Sequence, residues 1–250
     1  MAKVESYFEK FVSNLNPDDG AIGNASIAHN GLRDHLSESE LYWEYYSDSF
    51  LYGSYKRHTA IHDIDDVDVC ILVNIDHTSE DGKPMKVLKK LKKAISGYYT
   101  DVEWYDDENT AYNRRSILVK DALPNNPDSQ LSLDVIPAVQ DPDSDYLLVP
   151  DKEIWEWVPT NPKWHIDFSQ EMNDDSNQEF MKIVKIFKHL KKYHIKSKHP
   201  KGFWIETLVW VCYKQGDSMA ESFYKTLLNI LDTYKYSTTS IPDLPDFWME

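Results

Sequence analysis

The segment DVDVCILV, residues 66–73, constrains the fold of this chain more than any other stretch. Its residues alternate as an extended strand requires: Val67, Val69, Ile71 and Val73 share one face, and Asp66, Asp68, Cys70 and Leu72 share the other. The apolar run reads as a buried strand. Its opening places two carboxylates, one valine apart, on the same face, and like charges held that close require a cation, a proton or ample water. The upstream residues GSYKRHTA, 53–60, read as a short turn ahead of it. Asp63 and Asp65 also read as a spaced pair, but only the alternation of Asp66 and Asp68 continues unbroken into the strand.

Other strands and helices follow from periodicity. Residues 2–14 carry Val4, Phe8 and Phe11 at helical spacing, 16–23 read as a loop, and a second helix is expected from about Ile27 to Ser47. Residues 85–97, MKVLKKLKKAISG, place Met85, Leu88, Leu91 and Ile95 on one side and lysines on the other. The short pieces DVEWYD, RRSILVKD and LSLDVIPAV look like three further strands of one sheet. Residues 140–177 read as a proline-punctuated connection, and 178–194, 203–213 and 219–234 as helices. The chain is thus mixed α/β first and helical later.

With 250 residues, 41% hydrophobic and 13% aromatic, the chain can bury one substantial core or two modest lobes. A formal charge of −15 disfavours a nucleic-acid partner unless a local basic patch, such as residues 181–201, supplies the attraction. Cys70 and Cys212 are too few for a disulfide scaffold and read as buried thiols. No stretch approaches the roughly 20 apolar residues of a membrane span, and the N-terminus has acidic residues where a secretory peptide would be apolar. The expectation is a soluble cytoplasmic protein with no membrane partner.

Asp134, in LSLDVIPAV, is a third acidic residue in an apolar setting. If its strand lies beside 66–73, three carboxylates converge and supply the hard oxygen ligands that Mg²⁺ or Mn²⁺ prefers. Gly53 lets a backbone approach a phosphate closely, and the Ser54 hydroxyl can grip its oxygens. Arg57 could bind phosphate or pair with a neighbouring aspartate. Arg114 and Arg115 read as balancing acidic neighbours, and His58 and His62 as ordinary polar surface.

The order GS, then DVD at a strand start, then LDVIP resembles the polymerase-β-like nucleotidyltransferase superfamily. Within it, GSYKRHTAIHDIDDVDV looks most like the cGAS/DncV-like nucleotidyltransferases, with Gly53, Ser54, Tyr55, Arg57 and Thr59 matching the GS-aromatic-x-R-x-T pattern. The helix IVKIFKHLKKY and FWIETLVW are similar to that family's second lobe. The resemblance implies an α+β fold: a polymerase-β-like mixed sheet with flanking helices over residues 1–155, and a helical lobe over 156–250 that closes a nucleotide cleft. It implies a metal-dependent enzyme that joins nucleoside triphosphates into cyclic di- or oligonucleotide messengers, as in anti-phage signalling, and it leaves room for a regulatory protein partner. Asp66, Asp68 and Asp134 would be catalytic and hold two Mg²⁺ or Mn²⁺ ions, while Gly53, Ser54 and Lys188 would bind the nucleotide, with Lys185 or Lys192 as substitutes for Lys188. The family often has serine where Gly202 stands, so that phosphate contact is lost or moves to Ser197. Cysteine and histidine ligands of the animal sensor's zinc-containing DNA-binding insertion are absent. The alternatives are nucleotidyl transfer onto tRNA or a protein, and a catalytically silent nucleotide-binding scaffold.

Overall fold

The computed structural model describes residues 2–62, 64–99, 102–103, 114–123, 126, 130–196 and 200–235. Asp63 and Ser197, weighed above, lie outside them, as does most of DVEWYD beyond its first strand residues. The chain divides into two compact units that interleave in sequence: residues 19–55 with 64–162, and residues 1–18, 56–63 and 163–250. The first helix and the segment 56–63 therefore group with the C-terminal helices.

The sheet unit contains α2 (Asp19–Glu38), β1 (Tyr46–Tyr52), the start of the helical turn α3 (Gly53–Lys56), β2 (Asp66–Val73), α4 (Pro84–Ser96), β3 (Val102–Glu103), β4 (Ile117–Val119), β5 (Ser132–Gln140), β6 (Leu147–Asp151) and β7 (Glu156–Thr160). The strand order is β1-β2-β5-β4-β3, with β6 joined to β5 and β7 to β6. Among the described strands only β2 and β5 run parallel, and a parallel pair needs a crossover connection, which here contains α4. The core face of the sheet is the one the alternation indicated: Val67, Val69, Ile71 and Val73 from β2 meet Leu133 and Val135 from β5. Leu88, Leu91 and Ile95 of α4 join them, and their burial contributes about 2 kcal/mol per side chain.

Two stretches differ from expectation. The second helix starts at Asp19 and stops at Glu38, and Tyr46–Tyr52 is instead β1, antiparallel to β2. Its sequence, YSDSFLY, gives little alternation, and its partner strand decides its conformation. Likewise 140–177 is not a bare connection: β6, β7 and α5 (Pro162–Asp175) lie within it. Pro159 is tolerated because β7 pairs with β6 alone and forms an edge.

Asp151, at the end of β6, is fully buried and binds Arg114 Nε at 2.7 Å and Arg115 Nη2 at 3.1 Å. The two arginines do balance an acidic neighbour. Burial pushes the Asp151 carboxyl up, but the arginines and the Glu153 amide outweigh it and hold its pKa below the ordinary value. Its contribution to stability is therefore present above about pH 4 and lost as pH falls through the depressed folded-state pKa. Asp151→Asn leaves two guanidinium groups on a neutral partner and is expected to cost about 2 kcal/mol, lowering the thermal midpoint by roughly 5 °C at pH 7. The deficit should shrink below pH 4, and an unchanged midpoint at pH 7 would refute the assignment.

The helical unit contains α1 (Ala2–Leu15), the segment 56–63, α5, α6 (Phe180–His189) continued by a π-helical turn (Leu190–Ile195), α7 (Gly202–Cys212) and α8 (Met219–Tyr234). Val12 and Leu15 of α1 bury against Ile183, Val184 and Phe187 of α6, Val209 of α7 and Met219 of α8. The start of α8 is secured twice. Ser218 accepts from the Glu221 amide, and Glu5 of α1 accepts from the Met219 and Ala220 amides at 2.9 and 3.3 Å, placing a carboxylate at the positive helix end. Both cysteines are free and buried, and burial raises their thiol pKa values. Among the described residues no helix is long and apolar enough to cross a membrane.

Candidate active site

In the sheet unit, register brings the predicted carboxylates together. Asp68 of β2 lies opposite Asp134 of β5, and Asp66 opposite Ser132, so the three aspartates share the face turned away from Val67, Val69, Ile71 and Val73. On the other side of β2, Tyr52 of β1 is the partner of Asp68. Asp66 is exposed, Asp134 half-buried, and Asp68 only 9% exposed. A pair of adjacent parallel strands stands about 4.8 Å apart, close enough for carboxylates on neighbouring positions to act on one ion.

Gly53 follows Tyr52 directly and is held at φ +66°, a left-handed conformation that favours glycine. A Cβ there would stand 1.7 Å from Asp68 Oδ2 and 2.3 Å from its Cγ. The carboxylate of Asp68 thus occupies the volume that any other residue at position 53 would fill. Glycine is required here by the close approach of an acidic side chain, a reason that adds to the phosphate approach inferred from sequence. Ser54, the next residue, is half-buried at the start of α3.

The donor set is oxygen-only, as a hard divalent cation requires, and the sheet supplies it from two rigid neighbouring strands. Among the described residues, however, no three acidic, histidine or cysteine side chains are already gathered as a metal-ligand cluster. The register of β2 and β5 fixes the backbone positions of these candidate ligands. In that sense the residues fit a divalent ion without forming a closed cage.

The helical unit carries a second polar constellation. Arg57 and Thr59, from the segment just after α3, and Lys188 of α6 all converge on Glu206 of α7. Arg57 donates through Nε at 2.9 Å and Nη2 at 3.3 Å, Thr59 Oγ1 donates at 2.9 Å, and the Lys188 ammonium donates to Glu206 Oε1 and lies 3.3 Å from Thr59 Oγ1. All four residues are buried. Burial pushes the Glu206 carboxyl up, but Arg57 and Lys188 dominate and hold it well below the usual carboxylate range. The Arg57 guanidinium also lies 5.4 Å from the Phe203 ring, which stacks on His165.

Arg57 therefore pairs with a residue 149 positions away. Lys185 donates to Asn16 Oδ1 at 2.7 Å, and burial followed by the nearby Lys188 charge depresses its pKa to about 8. Glu206 escaped the sequence reading, although a signal was present: it is the lone charge in GFWIETLVWVC, where an apolar helix admits a carboxylate only with a partner.

Comparison with known proteins bears on this arrangement. Residues 1–173 match the model of the SMODS family, the Second Messenger Oligonucleotide or Dinucleotide Synthetase domain. A cyclic AMP-AMP-AMP synthase from an Acinetobacter species is 32% identical over 256 residues, covering 97% of this chain and 69% of the relative. Among solved structures, the CdnE c-UMP-AMP synthase of Rhodothermus marinus with Apcpp and Upnpp superposes with a TM-score of 0.67 at 19% identity, covering 98% of this chain and 88% of that one. The E. coli MS115-1 CdnC:HORMA-deltaN complex gives a TM-score of 0.63 at 16% identity, covering 92% of this chain and 70% of that one. The α+β fold is that of the polymerase-β-like synthases, and the chain belongs to the SMODS family of cyclic oligonucleotide synthases, a group of nucleotidyltransferases.

Proposed function

We propose that this protein is a metal-dependent synthase that condenses nucleoside triphosphates into a cyclic di- or oligonucleotide messenger. The observation that carries the reading is the juxtaposition of Asp68 with Asp134 across β2 and β5, with Gly53 packed against the Asp68 carboxylate. In each step a ribose hydroxyl oxygen forms a bond to the α-phosphorus of a triphosphate. The bond from that phosphorus to the bridging oxygen breaks, the electron pair leaves with pyrophosphate, and the hydroxyl proton passes to solvent.

Asp66 and Asp68 would hold two divalent cations, Mg²⁺ or Mn²⁺, and Asp134 would complete the site beside the attacking hydroxyl. Such ions, when bound, neutralise triphosphate charge and favour ionisation of the hydroxyl. The chain's own share is positional. β2 and β5 keep three carboxylates on one face, Gly53 lets the chain pass close to Asp68, and Ser54 offers its hydroxyl to the phosphate tail. Lys188, by the resemblance of its helix to the family's, would supply an ammonium to the triphosphate. The resemblance carried by the GS, DVD and LDVIP motifs implies a cytoplasmic role in anti-phage signalling, and the E. coli CdnC:HORMA-deltaN complex supports a search for a regulatory protein partner.

Incubating the protein with labelled ATP, GTP, CTP and UTP plus Mg²⁺ or Mn²⁺, then with phosphatase, tests the reading. A phosphatase-resistant small product and a matching release of pyrophosphate are expected, and EDTA should abolish both. Product formed only after addition of tRNA or protein would replace cyclisation by macromolecular transfer, and absence of pyrophosphate under every condition would leave a scaffold.

A further inference from the structure

The buried constellation around Glu206 places two full positive charges, Arg57 and Lys188, on one carboxylate. Among the described residues, Thr59 and Glu206 take two of the three N–H donors of the Lys188 ammonium. Beside that ammonium stands Gly202, the first residue of α7, where a Cβ would lie 3.7 Å from Lys188 Cε and 3.9 Å from Nζ. The glycine leaves this flank of the ammonium without a side chain. The other cation, Arg57, is committed to Glu206 through two N–H groups and lies over Phe203.

We propose that Glu206 is a positioning residue for the triphosphate-binding role of Lys188, holding the ammonium by one oxygen so that its remaining donor is aimed past Gly202 toward an anionic oxygen. Through Arg57 and Thr59 the same carboxylate also secures the chain segment that begins two residues after Ser54. This inference rests on the reading of Lys188 as a phosphate ligand. Its chemistry is specific to geometry: Glu206 acts by orientation, and its negative charge by itself opposes an incoming phosphate.

That opposition gives the test its sign. Glu206→Gln keeps the shape and removes one negative charge, so a purely electrostatic role predicts tighter binding of a triphosphate. A positioning role predicts weaker binding in spite of the added positive charge. The probe is a non-hydrolysable ATP analogue with Mg²⁺, read by calorimetry, together with KM and kcat for pyrophosphate release. We expect Glu206→Gln to raise Kd and KM at least tenfold, and Glu206→Asp, which keeps the charge but withdraws it by one methylene, to raise them several-fold with a thermal midpoint close to the parent's.

If Glu206 acts through Lys188, the double variant Lys188→Met/Glu206→Gln binds no worse than Lys188→Met alone. Unchanged or tighter binding in both Glu206 variants overturns the proposal while leaving the enzyme reading intact. Should Glu206→Gln fail to fold, Glu206→Asp decides by the same criterion. Failure of the parent protein to bind the analogue or release pyrophosphate would instead overturn the underlying reading, and this proposal with it.

Discussion

Asp68→Asn is expected to lower the rate of pyrophosphate release by on the order of 10³-fold, a loss of about 4 kcal/mol of transition-state stabilisation. The residue is the centre of the acidic face: Asp134 lies across from it on one side, Tyr52 on the other, and Gly53 is packed against its carboxyl group. Asparagine preserves the shape and removes the charge. The fold should not suffer, because one of several like charges on a largely buried face has been removed, and the thermal midpoint should stay level or rise. Mn²⁺ is expected to raise the midpoint of the parent protein by binding only the folded state, and to have no such effect on the variant. Near-normal turnover, or an undiminished Mn²⁺ shift, would remove Asp68 from the metal site.

Gly53→Ala should cost at least 100-fold in turnover with no change in any charged group. The methyl carbon would sit 1.7 Å from Asp68 Oδ2, a separation no structure tolerates, so either the carboxylate swings away or the chain at Gly53 moves. The left-handed backbone at φ +66° adds a penalty of about 1–2 kcal/mol for alanine. Both routes displace Asp68, Ser54 or both. The variant should remain folded, with a midpoint a few degrees lower and a Mn²⁺ shift reduced along with activity. Turnover within threefold of the parent would mean that the packing of Gly53 on Asp68 has no part in the reaction. Of the two glycines near functional side chains, only Gly53 is under this constraint. Gly202 has ordinary van der Waals room for a Cβ, so sequence alone gives no measure of which glycine is indispensable.

Much of the sheet was legible because alternation is a local property. The two faces of Asp66–Val73 could be read residue by residue, and the core packing follows them. Helix α4 was equally legible, since lysines and leucines segregate around its circumference. β1 and β7 were not, because YSDSFLY and EWVPT lack a clear period and take extended form from the strands they pair with. The helix expected from about Ile27 to Ser47 stops at Glu38 instead, and Tyr42 is buried in a turn and packs into the core of the sheet unit.

The sequence by itself determined which residues were candidates for chemistry: a GS turn, two aspartates on one strand face, and a third in a strand of the same character. These patterns are short-range, and covalent geometry translates them directly into faces and turns. Tertiary structure decided which of them meet. The parallel register of β2 and β5 set Asp68 against Asp134, and the path of the chain at Gly53 brought its backbone against the Asp68 carboxyl. It also gave Arg57 and Lys188 a common partner in Glu206, 149 and 18 residues away in the chain. No local rule reaches that far, because a buried charge accepts whichever counter-charge the packing brings within hydrogen-bonding distance, irrespective of sequence separation.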